Sequence, residues 1–244
     1  MQIYTVIRKG EFHPVYCEDF LITEELGHQY FLTAVMDGCS SGRESHFASA
    51  LMGKILRKIA QTILHQPEKA HLLDLPGEQL LPEILRSFFE ELSNARNFLL
   101  LGLNETLSTL ILLLYNKSNQ QAALIVLGDG FVAIDGQMHE IDQDNHPDYP
   151  AYHLGEDFET WFASQQNIFR ISNPREISIS TDGIATFQSN RVDIPEGFSP
   201  MNFLLLDDSL AHLDNMLVRK CNILDKKYGF KPGDDVAIVR VKFE

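Results

Sequence analysis

The chain has 244 residues, with 34 acidic side chains against 20 Lys and Arg and a formal net charge of −14. That field repels a phosphate backbone and an anionic lipid surface, so nucleic acid and membrane are not expected as partners. A hydrophobic content of 44% with 22% charged residues is ordinary for a globular core, in one large domain or two small ones.

Three cysteines, Cys17, Cys39 and Cys221, are odd in number and widely spaced, which makes no disulfide framework. Reduced thiols in a cytoplasmic protein are the expectation. Met1 to Arg8 lacks a basic stretch followed by a long apolar run and does not read as a signal peptide. The longest apolar run, Leu110 to Tyr115, is too short to span a bilayer.

No composition break, repeat or low-complexity tract divides the chain. A first strand is expected over Ile3 to Arg8. Phe20 to Thr23 and Tyr30 to Met36 then form a hairpin around Glu24-Glu25-Leu26-Gly27-His28. Phe47, Leu51, Ile55, Ile59 and Ile63 recur every four residues and predict a helix. Leu81, Ile84, Leu85, Phe88, Leu92 and Ala95 predict a second, with Pro82 in its first turn. Leu107 to Tyr115 is apolar almost throughout, as in a strand covered on both faces.

Ala122 to Leu127 returns, Gly128-Asp129-Gly130 turns tightly into Phe131 to Ile134, and Asp135-Gly136 marks a hairpin to Gln137 to Ile141. Asp142 to Gly155 is polar and reads as a long loop, with His146 and His153 exposed on it. Trp161 with Phe158 and Phe162 reads as a packed aromatic cluster. Ile168 to Ile171 and Glu176 to Thr181 are two more strands. Leu206, Leu210, Leu213, Leu217, Cys221 and Leu224 predict a last helix, with Asp207-Asp208 at its solvated start and Gly229 at its stop. Val236 to Phe243 is the final strand. Strands alternating with helix pairs give an α+β domain of two stacked antiparallel sheets with helices outside, a four-layer αββα sandwich over residues 1–244.

Four acidic motifs end apolar runs: Cys17-Glu18-Asp19, Met36-Asp37-Gly38, Ser180-Thr181-Asp182-Gly183 and Gly233-Asp234-Asp235. Carboxylates distant in sequence can converge and stay ionised only around a cation. Oxygen donors without a matching His or Cys set favour Mg²⁺ or Mn²⁺ over zinc. The chemistry that follows is metal-assisted hydrolysis, with a phosphoester as the natural substrate. Each motif alone has a simpler explanation, as a turn, a helix cap or a surface acid.

In this order, joined by Ser108-Thr109-Leu110 and Gly128-Asp129, the motifs resemble the type 2C metal-dependent protein phosphatases (PPM) along nearly the whole chain. The resemblance implies hydrolysis of phosphoserine or phosphothreonine in proteins, the products of a Ser/Thr kinase, with two Mn²⁺ or Mg²⁺ ions. By it, Asp37 would bridge both ions and the Gly38 carbonyl would bind one. Glu18 would sit on the second, with Asp19 ordering water beside it. Asp182 and Asp234 would bind the first ion, Asp129 would help hold a weaker third, and Asp235 would support. The catalytic residues would be Asp37, Asp19 and His13.

The sequence departs from the family where phosphate is met. Many relatives carry a basic residue before the Glu-Asp pair; here His13 is the sole candidate. Cys39 stands where some relatives have His, and Ser40 and Arg43 follow as further phosphate contacts. Those departures leave open a catalytically weak or inactive phosphoprotein-binding module, or a hydrolase of small phosphoesters. The loop 142–155 with Glu156 to Gln166 is expected to form a flap that chooses among substrates.

Overall fold

The computed structural model describes residues 1–144 and 146–243. One sheet is built from β2 (Asp19–Leu26), β3 (Tyr30–Asp37), β4 (Leu110–Asn116), β5 (Gln121–Leu127) and β8 (Ile168–Ser172), in that order. The other has the order β1-β12-β9-β6-β7, from β1 (Gln2–Arg8), β12 (Val236–Lys242), β9 (Glu176–Ser180), β6 (Gly130–Ile134) and β7 (Gln137–Ile141). Every pairing is antiparallel. A short ribbon pairs β10 (Phe187–Gln188) with β11 (Lys231–Pro232).

Three apolar layers hold the stack. Between the sheets, Phe31, Val35, Ile111, Leu113, Leu124 and Val126 meet Val132, Ile177, Ile179, Ala237, Val239 and Val241. Outside the first sheet, α1 (Ser45–His65) and α2 (Gly77–Phe98) press Met52, Leu56, Ile84 and Phe88 onto Leu32, Ala34 and Leu112. Outside the second, α4 (Pro200–Leu205) and α5 (Met216–Tyr228) press Leu204, Leu217 and Leu224 onto Tyr4, Val6 and Ile238. A strand covered on both faces has no polar side to alternate with, which is why β4 reads apolar throughout. The expected αββα sandwich is therefore the fold.

Several local expectations change. Glu24 and Glu25 lie inside β2, and the hairpin turns at 27–29. Pro82 sits in the second turn of α2, because that helix starts at Gly77. Gly128-Asp129 carries the chain from one sheet to the other, since β5 and β6 pair with different neighbours. The same is true of the link between β8 and β9.

The helix predicted from Leu206 begins only at Met216: 206–215 is non-helical, and a separate short helix, α4, precedes it. Lys220 and Arg240, both fully buried, explain the break. Lys220 Nζ donates to the carbonyls of Phe203 and Asp207, and Arg240 donates to those of Leu204, Leu206 and Asp207. Carbonyls captured by side chains are lost to a continuing helix. Asp207 and Asp208 are the counter-ions of these cations, not a helix start.

The aromatic cluster holds as expected: Trp161 is buried against Phe89 of α2, where α3 (Phe158–Ser164) docks. The 142–155 loop contains residue 145, which lies outside the described residues. His153 on that loop is not free: its Nε2 meets Asp148 Oδ1 at 2.6 Å and its Nδ1 meets Glu156 Oε1 at 2.9 Å. Among the described residues, no helix is long and apolar enough to cross a membrane.

Candidate active site

Acidic residues from both sheets gather at one end of the stack. Asp19 opens β2 and Asp37 closes β3, and the register sets them directly opposite each other. Asp182 follows β9, while Asp234 and Asp235 precede β12, the antiparallel neighbour of β9. A bond between the sheets fixes their approach. Thr181 Oγ1 donates to Asp19 Oδ2 at 2.6 Å and accepts from the Ala237 N–H at 2.9 Å.

Two glycines are required by this closeness. A Cβ on Gly38 would stand 2.1 Å from the Ser45 carbonyl oxygen, and one on Gly183 would stand 1.8 Å from that of Asp235. Both clashes are with backbone, which cannot swing aside. The Gly38 N–H donates to the Glu18 carbonyl at 3.1 Å, so the first two acidic motifs are joined through their main chains.

The carboxylates feel one another. Burial raises the Asp19 pKa to about 8, opposed by the Thr181 and Asp37 hydrogen bonds and reinforced by Asp235 and Asp182. Asp37 is raised well above the ordinary carboxylate range by burial, then by the charges of Asp19 and Asp182, with a smaller push from Asp234. Asp182 is raised by burial and by Asp234. Asp129 is raised to about 6 by burial, against a backbone hydrogen bond from Gln143, with Asp182, Asp142 and Asp144 adding repulsion. Asp129 sits where the chain crosses between the sheets, not in a hairpin turn.

A second group forms on the open side. Asp235, 1% exposed, accepts from the Gly10 N–H, the Glu18 N–H and His13 Nδ1, the last at 2.7 Å. His13 Nε2 then points at Asp234 Oδ1 (3.5 Å), Ser40 Oγ (3.4 Å) and Glu18 Oε2 (3.7 Å). Ser40 Oγ donates to Glu18 Oε2 at 2.8 Å. Burial lowers the His13 pKa, but the Asp235 hydrogen bond and the charges of Asp235, Glu18 and Asp234 outweigh it and hold it above the usual imidazole value.

Arg43 is exposed, and its guanidinium has no hydrogen bond or ion pair among the described residues. Asp135 is a turn residue that accepts from the Arg175 and Glu176 amides, away from the acidic group. His46 stacks on Tyr16 at 4.1 Å on the surface of α1.

Three contributions go beyond what the sequence assigns. Asp235, expected only in support, is the brace of the whole β1–β2 loop. Thr181 links the sheets; its place beside Asp182 at a strand end is the available signal. Tyr149, buried with Leu107 and Cys39, ties the 142–155 loop to the segment after Gly38, and nothing in its local sequence marks it.

Among the described residues, no three His, Cys, Asp or Glu side chains are already drawn tight around a common point. The donor chemistry nonetheless fits a hard divalent cation. Asp19 Oδ1 and Asp129 Oδ1 are buried oxygens without a hydrogen-bond partner, in a cluster of like charges that a cation would offset.

The model for protein phosphatase 2C matches residues 10–218. Comparison with curated protein sequences finds no match. Among solved structures, the PP2C phosphatase domain with a fragment of the regulatory domain of the cell fate determinant SpoIIE from Bacillus subtilis is 15% identical with a TM-score of 0.56. That match covers 99% of this chain, which spans 63% of the SpoIIE chain. The serine/threonine phosphatase Stp1 from Staphylococcus aureus is 14% identical with a TM-score of 0.58, covering 99% of this chain and 94% of that one. RsbX, solved in complex with magnesium, is 14% identical with a TM-score of 0.52, covering 98% and 94%. At such identities the structures speak for the fold, and the family model adds the sequence pattern. The chain belongs to the protein phosphatase 2C family.

Proposed function

We propose that this chain hydrolyses phosphoserine and phosphothreonine in proteins, as one domain spanning residues 1–244, using two Mn²⁺ or Mg²⁺ ions. The observation that carries the reading is the opposed Asp19–Asp37 pair, with a buried unpartnered oxygen on Asp19 and further charge at Asp182. Such repulsion is relieved by a bound cation, or in its absence by protonation, and the cluster stays ionised near neutral pH only with the cation.

Glu18, Asp19, Asp37, the Gly38 carbonyl, Asp182 and Asp234 would hold the two ions, and Asp129 would help hold a third. When bound, they supply Lewis acidity toward water and phosphoryl oxygens. The chain supplies the rest. Asp19, fixed by the Thr181 hydroxyl, is placed to orient water beside the ions. His13, its Nδ1 proton fixed on Asp235, presents Nε2 to the open side, where it can hold a phosphoryl oxygen or return a proton to the departing serine oxygen. Ser40 orients Glu18, and Arg43 stands free to meet the substrate's phosphate.

The test is hydrolysis of an aryl phosphate and of a phosphoserine peptide, with Mn²⁺ or with chelator, in wild type and Asp37→Asn. Turnover that needs metal and is lost in the variant supports the enzyme. Phosphopeptide binding with no turnover would make the chain a binding module. Turnover of the aryl ester alone would make it a small-ester hydrolase.

A further inference from the structure

Two adjoining cavities lie on the β11 side of the molecule, lined by residues that directly precede His13 and Asp234 in the chain. One, of about 400 Å³, is walled by Phe12, Arg191, Lys231 and Gly233. The next, of about 220 Å³, shares Glu11 and Lys231 with it and adds Arg8, Lys9 and Asp225. Main-chain bonds hold the segment before His13 to the segment before Asp234. The Phe12 N–H donates to the Gly233 carbonyl at 2.8 Å and the Glu11 N–H to that of Pro232 at 3.0 Å. Gly233 directly precedes Asp234, and Phe12 directly precedes His13.

The charge here is reversed relative to the molecule. The chain carries 34 acids against 20 cations, whereas Arg8, Lys9, Arg191 and Lys231 line this trough against Glu11 and Asp225 alone. Among the described residues, only Lys231 of these four has a carboxylate partner, Glu11 at 2.7 Å. Arg8 bonds Asn222, Lys9 the Pro14 carbonyl and Arg191 the Lys227 carbonyl, so these three cations have no salt-bridge partner and the trough lining is net positive. Beside them the Phe12 ring is 72% exposed. A helix cap for α5 explains one nitrogen of Arg191; it does not explain four cations gathered beside an acidic centre.

We infer that this trough docks the acidic polypeptide that flanks the phosphorylated residue of a protein substrate. The inference rests on the phosphatase reading and names the substrate class it serves. An extended chain advances about 3.3–3.6 Å per residue, so residues two to four places from a phosphoserine held at His13 fall along the trough. Their carboxylates meet Lys9, Arg191 and Lys231, and an apolar neighbour covers Phe12. Neutral flanks gain none of these charge pairs, and basic flanks are repelled.

The experiment compares two fluorescein-labelled phosphoserine peptides, one flanked by aspartates and one by alanines. Binding is read by anisotropy in chelator at low salt, and turnover is read with Mn²⁺. The acidic peptide should bind about tenfold tighter, as expected of two or three exposed charge pairs. Raising salt should erase the difference. Lys9→Glu with Arg191→Glu should abolish or invert it, through KM rather than kcat. Should the double variant misfold by circular dichroism, Lys9→Glu alone, at an exposed position, should still reduce the ratio about threefold.

Equal binding of the two peptides overturns the inference, as does a ratio unmoved by the substitutions. Tighter binding to single-stranded DNA or phosphatidylserine vesicles than to the acidic peptide also overturns it. Absence of aryl phosphate turnover would refute the phosphatase reading separately, with anisotropy still deciding the docking.

Discussion

Substituting Asp37→Asn should make the metal-free protein more stable while removing its response to metal. The reason lies in the cross-strand register, which sets Asp37 opposite Asp19 at the start of β2. Asp19 is 4% exposed, and its pKa is raised from 3.8 to about 8. A raised carboxylate binds its proton more tightly folded than unfolded. Stability therefore falls as pH climbs from about 4 toward about 8 and is flat above that. At about 1.36 kcal/mol for each pH unit between those two values, the loss is bounded on the order of 5 kcal/mol.

Burial of the Asp19 carboxylate persists in the variant, whereas the burial of the Asp37 charge and its repulsion from Asp19 and Asp182 are removed. An amide at 37 has no charge to desolvate and can donate to Asp19. A gain of about 1–2 kcal/mol is expected, or a Tm rise of about 3–6 °C for a chain of this length. Differential scanning fluorimetry in chelator near pH 6 and pH 8 reads it, with the larger gain at the higher pH. Mn²⁺ should raise the wild-type Tm and leave the variant's unchanged. A variant less stable than wild type in chelator at pH 8, or a wild-type Tm that does not fall between the two pH values, would refute the argument.

Other consequences are as direct. Asp235→Ala strips acceptors from Gly10, Glu18 and His13 at a buried site. It should cost about 2–4 kcal/mol in urea unfolding, and the Gly10 and Glu18 amides should lose hydrogen-exchange protection first. Gly183→Ala forces a Cβ onto the Asp235 carbonyl and should destabilise by more than about 2 kcal/mol; an unchanged denaturation midpoint would contradict the close approach. Arg240→Met strips a buried bidentate partner from Glu176 and the side-chain donor from the Leu204 and Leu206 carbonyls. It should cost about 3–5 kcal/mol, with exchange rising at 204–208.

His153 is bonded at both ring nitrogens, which only the protonated ring can satisfy as donor. Burial lowers its pKa, but Asp148 and Glu156 outweigh burial and hold it above 6.5. Its contribution is full below about pH 6 and is lost as pH rises through the folded value. Amides near His153 should therefore lose protection, after correction for intrinsic rates, between about pH 5.5 and pH 8; pH-independent protection would remove the role.

Local sequence carried the elements and the acids. Apolar runs bounded by turn residues placed the strands to within a few residues, and four-residue periodicity placed α1 and α2. Acidic residues ending apolar runs identified Asp19, Asp37, Asp182 and Asp234, because a strand end aims its side chain at a fixed point. Tertiary structure alone decided what joins across the chain. Which strands share a sheet is set by pairing between distant segments, so Gly128-Asp129 reads locally as a hairpin turn and is a crossing. The leucine spacing of 206–224 fits one helix, and buried Lys220 and Arg240, the latter from the last strand, take the carbonyls that helix would need. His13 and Asp235 are 222 residues apart, and no local signal couples them; their hydrogen bond exists because β1 and β12 pair, bringing the two ends of the chain to one side of the same acidic centre.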